Sequence, residues 1–192
     1  MRFNMDPPVV YIEKEPFLNM VLASVETFKR ECVGYIFGHK PTRERNSFVI
    51  ISTAAIQLAK KRKNSEVEQT QLSGKSIDDC FKKYPSLFRV IGDFHSHPEW
   101  GSCKGWALPT KRDLKNMEKE ELSVIIAISS INKDRILWQS ASDGGIRGSL
   151  SKYKFHFNVF RLVKKGGKLE EELLIVQAPA AIKALNRALG YK

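Results

Sequence analysis

Gly92-Asp93-Phe94-His95-Ser96-His97-Pro98, followed by Pro109-Thr110-Lys111-Arg112-Asp113, is the stretch from which the chain is read. His95 and His97 close an apolar run, Phe88–Phe94, that predicts a strand. Residues i and i+2 of a strand project from one face, so the two imidazoles can address one ion. Asp113 follows at a predicted helix start. Imidazole nitrogens and a carboxylate oxygen suit Zn²⁺, and three protein ligands leave a fourth position for water, as in catalytic rather than structural sites. Asp93 shares the strand parity of both histidines and is a rival ligand.

The surrounding chain, 192 residues long, can fill one core. Its 42% hydrophobic and 10% aromatic content excludes wholesale disorder. Cys32, Cys80 and Cys103 make no CxxC pair and no disulfide framework, which points to a reducing compartment. Cys32 and Cys80 read as small core residues, and Cys103 as a surface thiol with an inhibitory metal ligand as its other reading. No apolar run approaches the about 20 residues that cross a bilayer, and the first residues lack a signal-like apolar region. The expected location is cytoplasmic, with no membrane partner. The formal charge of +11 gathers at Lys60–Lys63, at Arg43 and Arg45, and at Arg161 with Lys164, Lys165 and Lys168. Such clusters suit nucleic acid or an acidic protein. No aromatics interleave the run 60–63, so solvated loops are the plainer reading and nucleic acid is not the expected partner.

Val9–Ile12 predicts a strand. Glu15-Pro16 opens a helix to about Arg30, with Phe17, Met20, Val21, Ser24, Val25 and Phe28 at helical spacing. Cys32–Phe37 reads as a buried strand stopped by Gly38, Arg43–Asn46 as a turn and Phe48–Ile56 as a further strand. Residues 59–75 lack hydrophobic periodicity and read as a long exposed loop. Helices are predicted at Ser76–Lys83, Thr110–Glu120 and Ala180–Leu189, and strands at Ser123–Ile128 and Arg135–Gln139. Tyr153, Phe155, Phe157 and Val159 alternate as in a half-buried strand, and Lys165-Gly166-Gly167-Lys168 turns it into Leu169–Val176. Mixed helices and strands around one core give an α/β or α+β domain over residues 1–192.

His95-Ser96-His97-Pro98, a later hydroxyl residue and an aspartate three positions beyond it resemble the JAMM motif of MPN-domain metalloproteases (the Mov34/PAD-1-like family). Upstream, Glu31-Cys32-Val33-Gly34-Tyr35-Ile36-Phe37-Gly38 is similar to that family's glutamate before a Gly-containing apolar strand. The resemblance spans about residues 9–160. It implies a mixed curved sheet flanked by helices with a cytidine-deaminase-like core; the C-terminal hairpin and helix read at about 153–190 are expected to pack on that core. It also implies that His95, His97 and Asp113 hold one catalytic zinc ion, that Glu31 is the general acid/base toward the attacking water, and that Thr110 stands where the family has serine. The implied activity is isopeptide or peptide hydrolysis after the terminal Gly-Gly of ubiquitin, a ubiquitin-like protein or a sulfur-carrier-like modifier. The implied partners are that modifier or its conjugates, and in some members a regulatory protein. Two departures stand out: the threonine, and a segment Glu99–Leu108 that lengthens the spacing between His97 and Asp113 and carries Trp100 and Trp106.

Plainer readings exist for several residues. Thr110-Lys111-Arg112-Asp113 is close to a helix capping box. Glu26 competes with Glu31, although only Glu31 has the right spacing to Gly34 and Gly38. His156 between Phe155 and Phe157 reads as a strand histidine, and His39 as a loop residue. The loop 59–75 and the glycine-containing stretch Ser142–Gly148 are expected either as mobile connections or as substrate contacts. A catalytically weak MPN scaffold and a nucleic-acid-associated factor are the alternative functions.

Overall fold

The computed structural model of the chain describes residues 8–39, 47–55, 59–63, 66–69, 76, 79–87, 89–132 and 135–191. Its elements are β1 (Val9–Ile12), α1 (Lys14–Glu26), β2 (Val33–His39), β3 (Ser47–Ala55), β4 (Ala59–Lys63), β5 (Glu66–Gln69), β6 (Val90–Pro98), α2 (Lys111–Asn116), β7 (Leu122–Ser130), β8 (Gln139–Ser140), β9 (Ile146–Leu150), β10 (Tyr153–Lys165), β11 (Lys168–Gln177) and α3 (Pro179–Ala188). A short helical turn also covers residues 79–83. The main sheet runs β11-β1-β3-β2-β6-β7-β10-β9-β8. Because β11 also pairs with β10, the sheet curves round and closes on itself. This is the mixed α/β fold that the residues predicted, with the curved sheet that the resemblance implied.

Phe17, Met20, Val21 and Ser24 recur at helical spacing on α1 and are all buried. The Phe17 ring stacks on Phe157 with centroids 4.5 Å apart and meets Trp138 edge-on at 5.5 Å. Ser24 is accommodated in this core because its hydroxyl donates to the Met20 carbonyl at 2.8 Å. The helix ends at Glu26, earlier than periodicity predicted, since Lys29 takes a positive φ of 76° and turns the chain back toward β2.

Other differences have similarly local causes. Gly38 lies inside β2 rather than ending it; a Cβ there would meet the Val49 carbonyl oxygen at 1.9 Å, so the glycine permits close approach of β3. Within 59–75, residues expected as loop form the antiparallel pair β4–β5, with Lys61 opposite Glu68 and Lys63 opposite Glu66. A two-stranded hairpin outside the main sheet needs no apolar alternation, the pattern that marks a half-buried strand. Residues 135–138 are not strand. Asn186 of α3 brackets Trp138 instead, accepting from its N–H and donating to its carbonyl, each at 2.9 Å. Helix α2 stops at Asn116, where Met117 is already extended. Cys80 is exposed, whereas Cys32 is in the core as expected. The expected turn at Arg43–Asn46 lies outside the described residues. Gly166 and Gly167, at φ 58° and 88°, make the tight β10–β11 turn that Gly-Gly predicted. The basic cluster nearby is partly neutralised, for Arg161 Nη2 lies 2.7 Å from Glu172 Oε2. Among the described residues no helix is long and apolar enough to cross a membrane.

The feature that builds the site is the connection between β6 and β7. These strands are parallel, so the chain cannot turn back in a hairpin and must cross a face of the sheet. Residues 99–121 make that crossing and carry α2 with them.

Candidate metal centre

His95 and His97 lie on β6, between β2 and β7, with His95 opposite Val33 and Ile125 and His97 opposite Ala127. The strand period puts both rings on the face that the crossing chain covers. There, Thr110 caps α2. Its hydroxyl accepts from the Asp113 N–H at 3.2 Å, while Asp113 Oδ2 accepts from the Thr110 N–H at 2.6 Å. This capping box fixes the carboxylate. Asp113 Oδ2 stands 3.4 Å from His97 Nε2 and 3.7 Å from His95 Nε2.

One ligand atom from each of the three residues lies within 4.8 Å of the others, a group that could hold a metal ion. The orientation of the rings suits that use. His97 Nδ1 is 2.9 Å from the Trp106 carbonyl oxygen, which can only accept, so Nδ1 carries a proton and Nε2, facing Asp113, is the ring's ligand atom. His95 Nδ1 lies 3.7 Å from Asp93 Oδ1, and that oxygen accepts from the Ser123 hydroxyl at 2.8 Å. Asp93 therefore stands behind the His95 ring rather than among the ligand atoms. His95 Nε2 is buried and, among the described residues, without a hydrogen-bond partner. A buried imidazole nitrogen left unpaired is costly, and a divalent cation is the group that two imidazoles and a carboxylate fit.

Without a metal, burial alone would lower the His95 pKa, but the Asp113 and Asp93 carboxylates outweigh it and push the value up to about 10. Burial would raise Asp113, yet both imidazoles hold it far below the usual carboxylate range. Below about pH 10 the metal-free group thus keeps a proton that a metal ion must displace. Metal affinity is expected to rise with pH, by up to about tenfold per unit at neutral pH. Calorimetry in buffers of different ionisation enthalpy checks this; a proton release of zero would refute it.

Glu31 lines the same cavity of about 320 Å³ with His95, His97, Thr110, Asp113 and Trp100. It is half-buried, and burial raises its pKa against the lowering pull of His97 and His95. Glu26 does not line the cavity. What brings Glu31 there is Ser96, the fully buried residue between the histidines. Its N–H donates to the Cys32 carbonyl at 3.0 Å and its hydroxyl accepts from the Cys32 N–H at 2.9 Å. Ser96→Ala removes that acceptor from a buried donor and is expected to destabilise the fold by about 1–3 kcal/mol. Urea denaturation reads this, and an unchanged midpoint would contradict it.

The lengthened segment is largely exposed beside the cavity, apart from Glu99 and Ala107. Glu99 is buried and accepts from the Ser130 hydroxyl and N–H at 2.6 and 3.0 Å, with Lys29 Nζ at 3.2 Å. Trp100 and Trp106 are exposed beside the site, at 58% and 67%. Cys103 is exposed and outside the metal group. His156 is also outside it and pairs with Asp143 at 3.0 Å. His39 ends β2. Sequence reading missed Ser96, Ser123 and the Trp106 carbonyl as supports. Only Ser123, sharing parity with Asp93 across parallel strands, had a signal that pattern could have found.

Residues 7–120 match the family model described as JAB1/Mov34/MPN/PAD-1 ubiquitin protease. The solution structure of protein DSY2949 from Desulfitobacterium hafniense is similar, with a TM-score of 0.53 and 14% identity, over 88% of this chain and 93% of that one. At that identity the likeness concerns the fold alone. No curated protein matches the chain.

Proposed function

The chain belongs to the JAB1/Mov34/MPN/PAD-1 ubiquitin protease family, and from that membership we propose that it is a zinc-dependent isopeptidase. Its bond would be the one after the C-terminal Gly-Gly of ubiquitin, a ubiquitin-like protein or a sulfur-carrier modifier. The observation that carries the reading is the complete three-donor group with a half-buried carboxylate, Glu31, beside it but not in it.

In this reading His95, His97 and Asp113 hold zinc, which when bound lowers the pKa of water to about 7 and polarises a carbonyl. Glu31 takes the proton of the attacking water and returns it to the leaving amine. Its raised pKa brings it nearer the working pH of such a group. Thr110 uses its oxygen to accept from the Asp113 N–H, and its own O–H remains a donor for the oxyanion that develops on the scissile carbonyl. An extended Gly-Gly tail would reach these groups through the open cavity. The exposed free thiols of Cys80 and Cys103 suit a reducing compartment such as the cytoplasm.

The test is incubation of the zinc-loaded protein with a panel of conjugates of Gly-Gly-terminated modifiers, with and without a chelator. Cleavage that the chelator abolishes is expected. Intact conjugates throughout the panel at full zinc content would sink the reading.

A further inference from the structure

Asn158 sits in β10 within the run Phe155-His156-Phe157-Asn158-Val159-Phe160 and is 1% exposed. Its Nδ2 donates to the Ala107 carbonyl and to Asp143 Oδ2, each at 3.1 Å. Its Oδ1 is buried with no partner among the described residues. An apolar side chain would fill the same space without that cost, so what the asparagine supplies is the donor. Asp143 sets which way the amide points. With Asp143 Oδ2 and the Ala107 oxygen both acceptors, only the nitrogen end can face them.

The register shows what that donor reaches. His95 is opposite Ile125, and Ile125 opposite Asn158; His97 is opposite Ala127, and Ala127 opposite His156. Asn158 therefore lies on the sheet face that carries the metal group, in the same row as His95. The segment 105–107 crosses this face between them. Gly105 rests directly on the sheet: a Cβ there would stand 2.2 Å from the His97 carbonyl oxygen. Its N–H donates to the Ser129 hydroxyl at 3.1 Å. Two residues on, the Ala107 carbonyl is held by Asn158. Between these two anchors is Trp106, whose carbonyl accepts from His97 Nδ1 at 2.9 Å.

We propose that Asn158 is a positioning residue of the metal centre, holding the 105–107 backbone so that the Trp106 carbonyl fixes the ring and tautomer of His97. Asp143 acts one step further out by orienting the Asn158 amide. The proposal rests on the reading of His95, His97 and Asp113 as zinc ligands. Loss of a partner that orients a ligating histidine typically weakens metal binding by about 10–100-fold, and that is the size of effect expected from Asn158→Leu.

The experiment compares Asn158→Leu and Asp143→Ala with the parent in two readouts that need no substrate. One is zinc affinity by competition with a chromophoric chelator; the other is the ring ¹⁵N shifts of His97 in the metal-free protein. The parent is expected to show one His97 tautomer, protonated at Nδ1. Asn158→Leu should bind zinc about 10–100-fold more weakly and lose that single tautomer while still melting cooperatively; Asp143→Ala should move both readouts the same way by less. Parental zinc affinity with unchanged His97 shifts in folded Asn158→Leu overturns the proposal. If that variant does not fold, the same result in Asp143→Ala, which keeps Asn158, overturns it. Zinc-loaded parent that cleaves no conjugate would defeat the isopeptidase reading and leave this outcome legible.

Discussion

Glu31→Gln is expected to keep the full zinc content of the parent and to lower turnover of a Gly-Gly conjugate by about 10²–10⁴-fold. Glutamine keeps the shape and the hydrogen-bonding capacity of the side chain but cannot accept a proton and pass it on. Glu31 is not one of the three grouped ligand residues, so the metal should not notice the change. Nor should the fold. Burial raises the Glu31 pKa, which means that the charged form opposes folding above the ordinary carboxylate range and that the cost disappears below it. A neutral amide removes that cost at neutral pH, and the variant should melt no lower than the parent. Elemental analysis, a thermal melt and single-turnover cleavage together separate the roles. Parent-like turnover would remove Glu31 from the chemistry; lost zinc would make it a ligand or its support.

His97→Ala should do the opposite to the metal. It deletes one of three donors and also strips the Trp106 carbonyl of the Nδ1–H it accepts. Stoichiometric zinc should not survive dialysis, and cleavage should fall below detection. The helix that carries Asp113 is expected to persist, because the Thr110–Asp113 capping box does not involve His97. A folded His97→Ala protein with full zinc and activity would mean that the ligand set is wrong.

Legibility in the sequence varied with the kind of signal. The His95/His97 parity, the burial of Phe17 and Met20, the Gly166-Gly167 turn and the strand at Val9–Ile12 each follow from a period or a turn preference that acts within a few residues. Signals failed where a partner far along the chain decided the outcome. Residues 135–138 have strand-like composition, but Asn186 takes up the backbone groups of Trp138. Gly38 looks like a terminator until Val49 is placed against it. Glu99 opens a segment expected as a loop beside the metal, yet it is itself buried, its carboxylate met by Ser130 and Lys29. Thr110-Lys111-Arg112-Asp113 proved ambiguous for a physical reason: the carboxylate that caps the helix is the one that faces the histidines.

The pair His95 and His97, the carboxylate at a helix start and the chemistry such groups share were contained in the sequence, because residue type and the two-residue strand period do not depend on the rest of the molecule. Which oxygen meets which ring was decided only by the tertiary structure. A backbone carbonyl such as that of Trp106 has the same chemistry at every position, so its place beside His97 leaves no mark on the sequence. Asn158 reaches Ala107 across 51 positions, a contact that exists only once β6, β7 and β10 lie side by side.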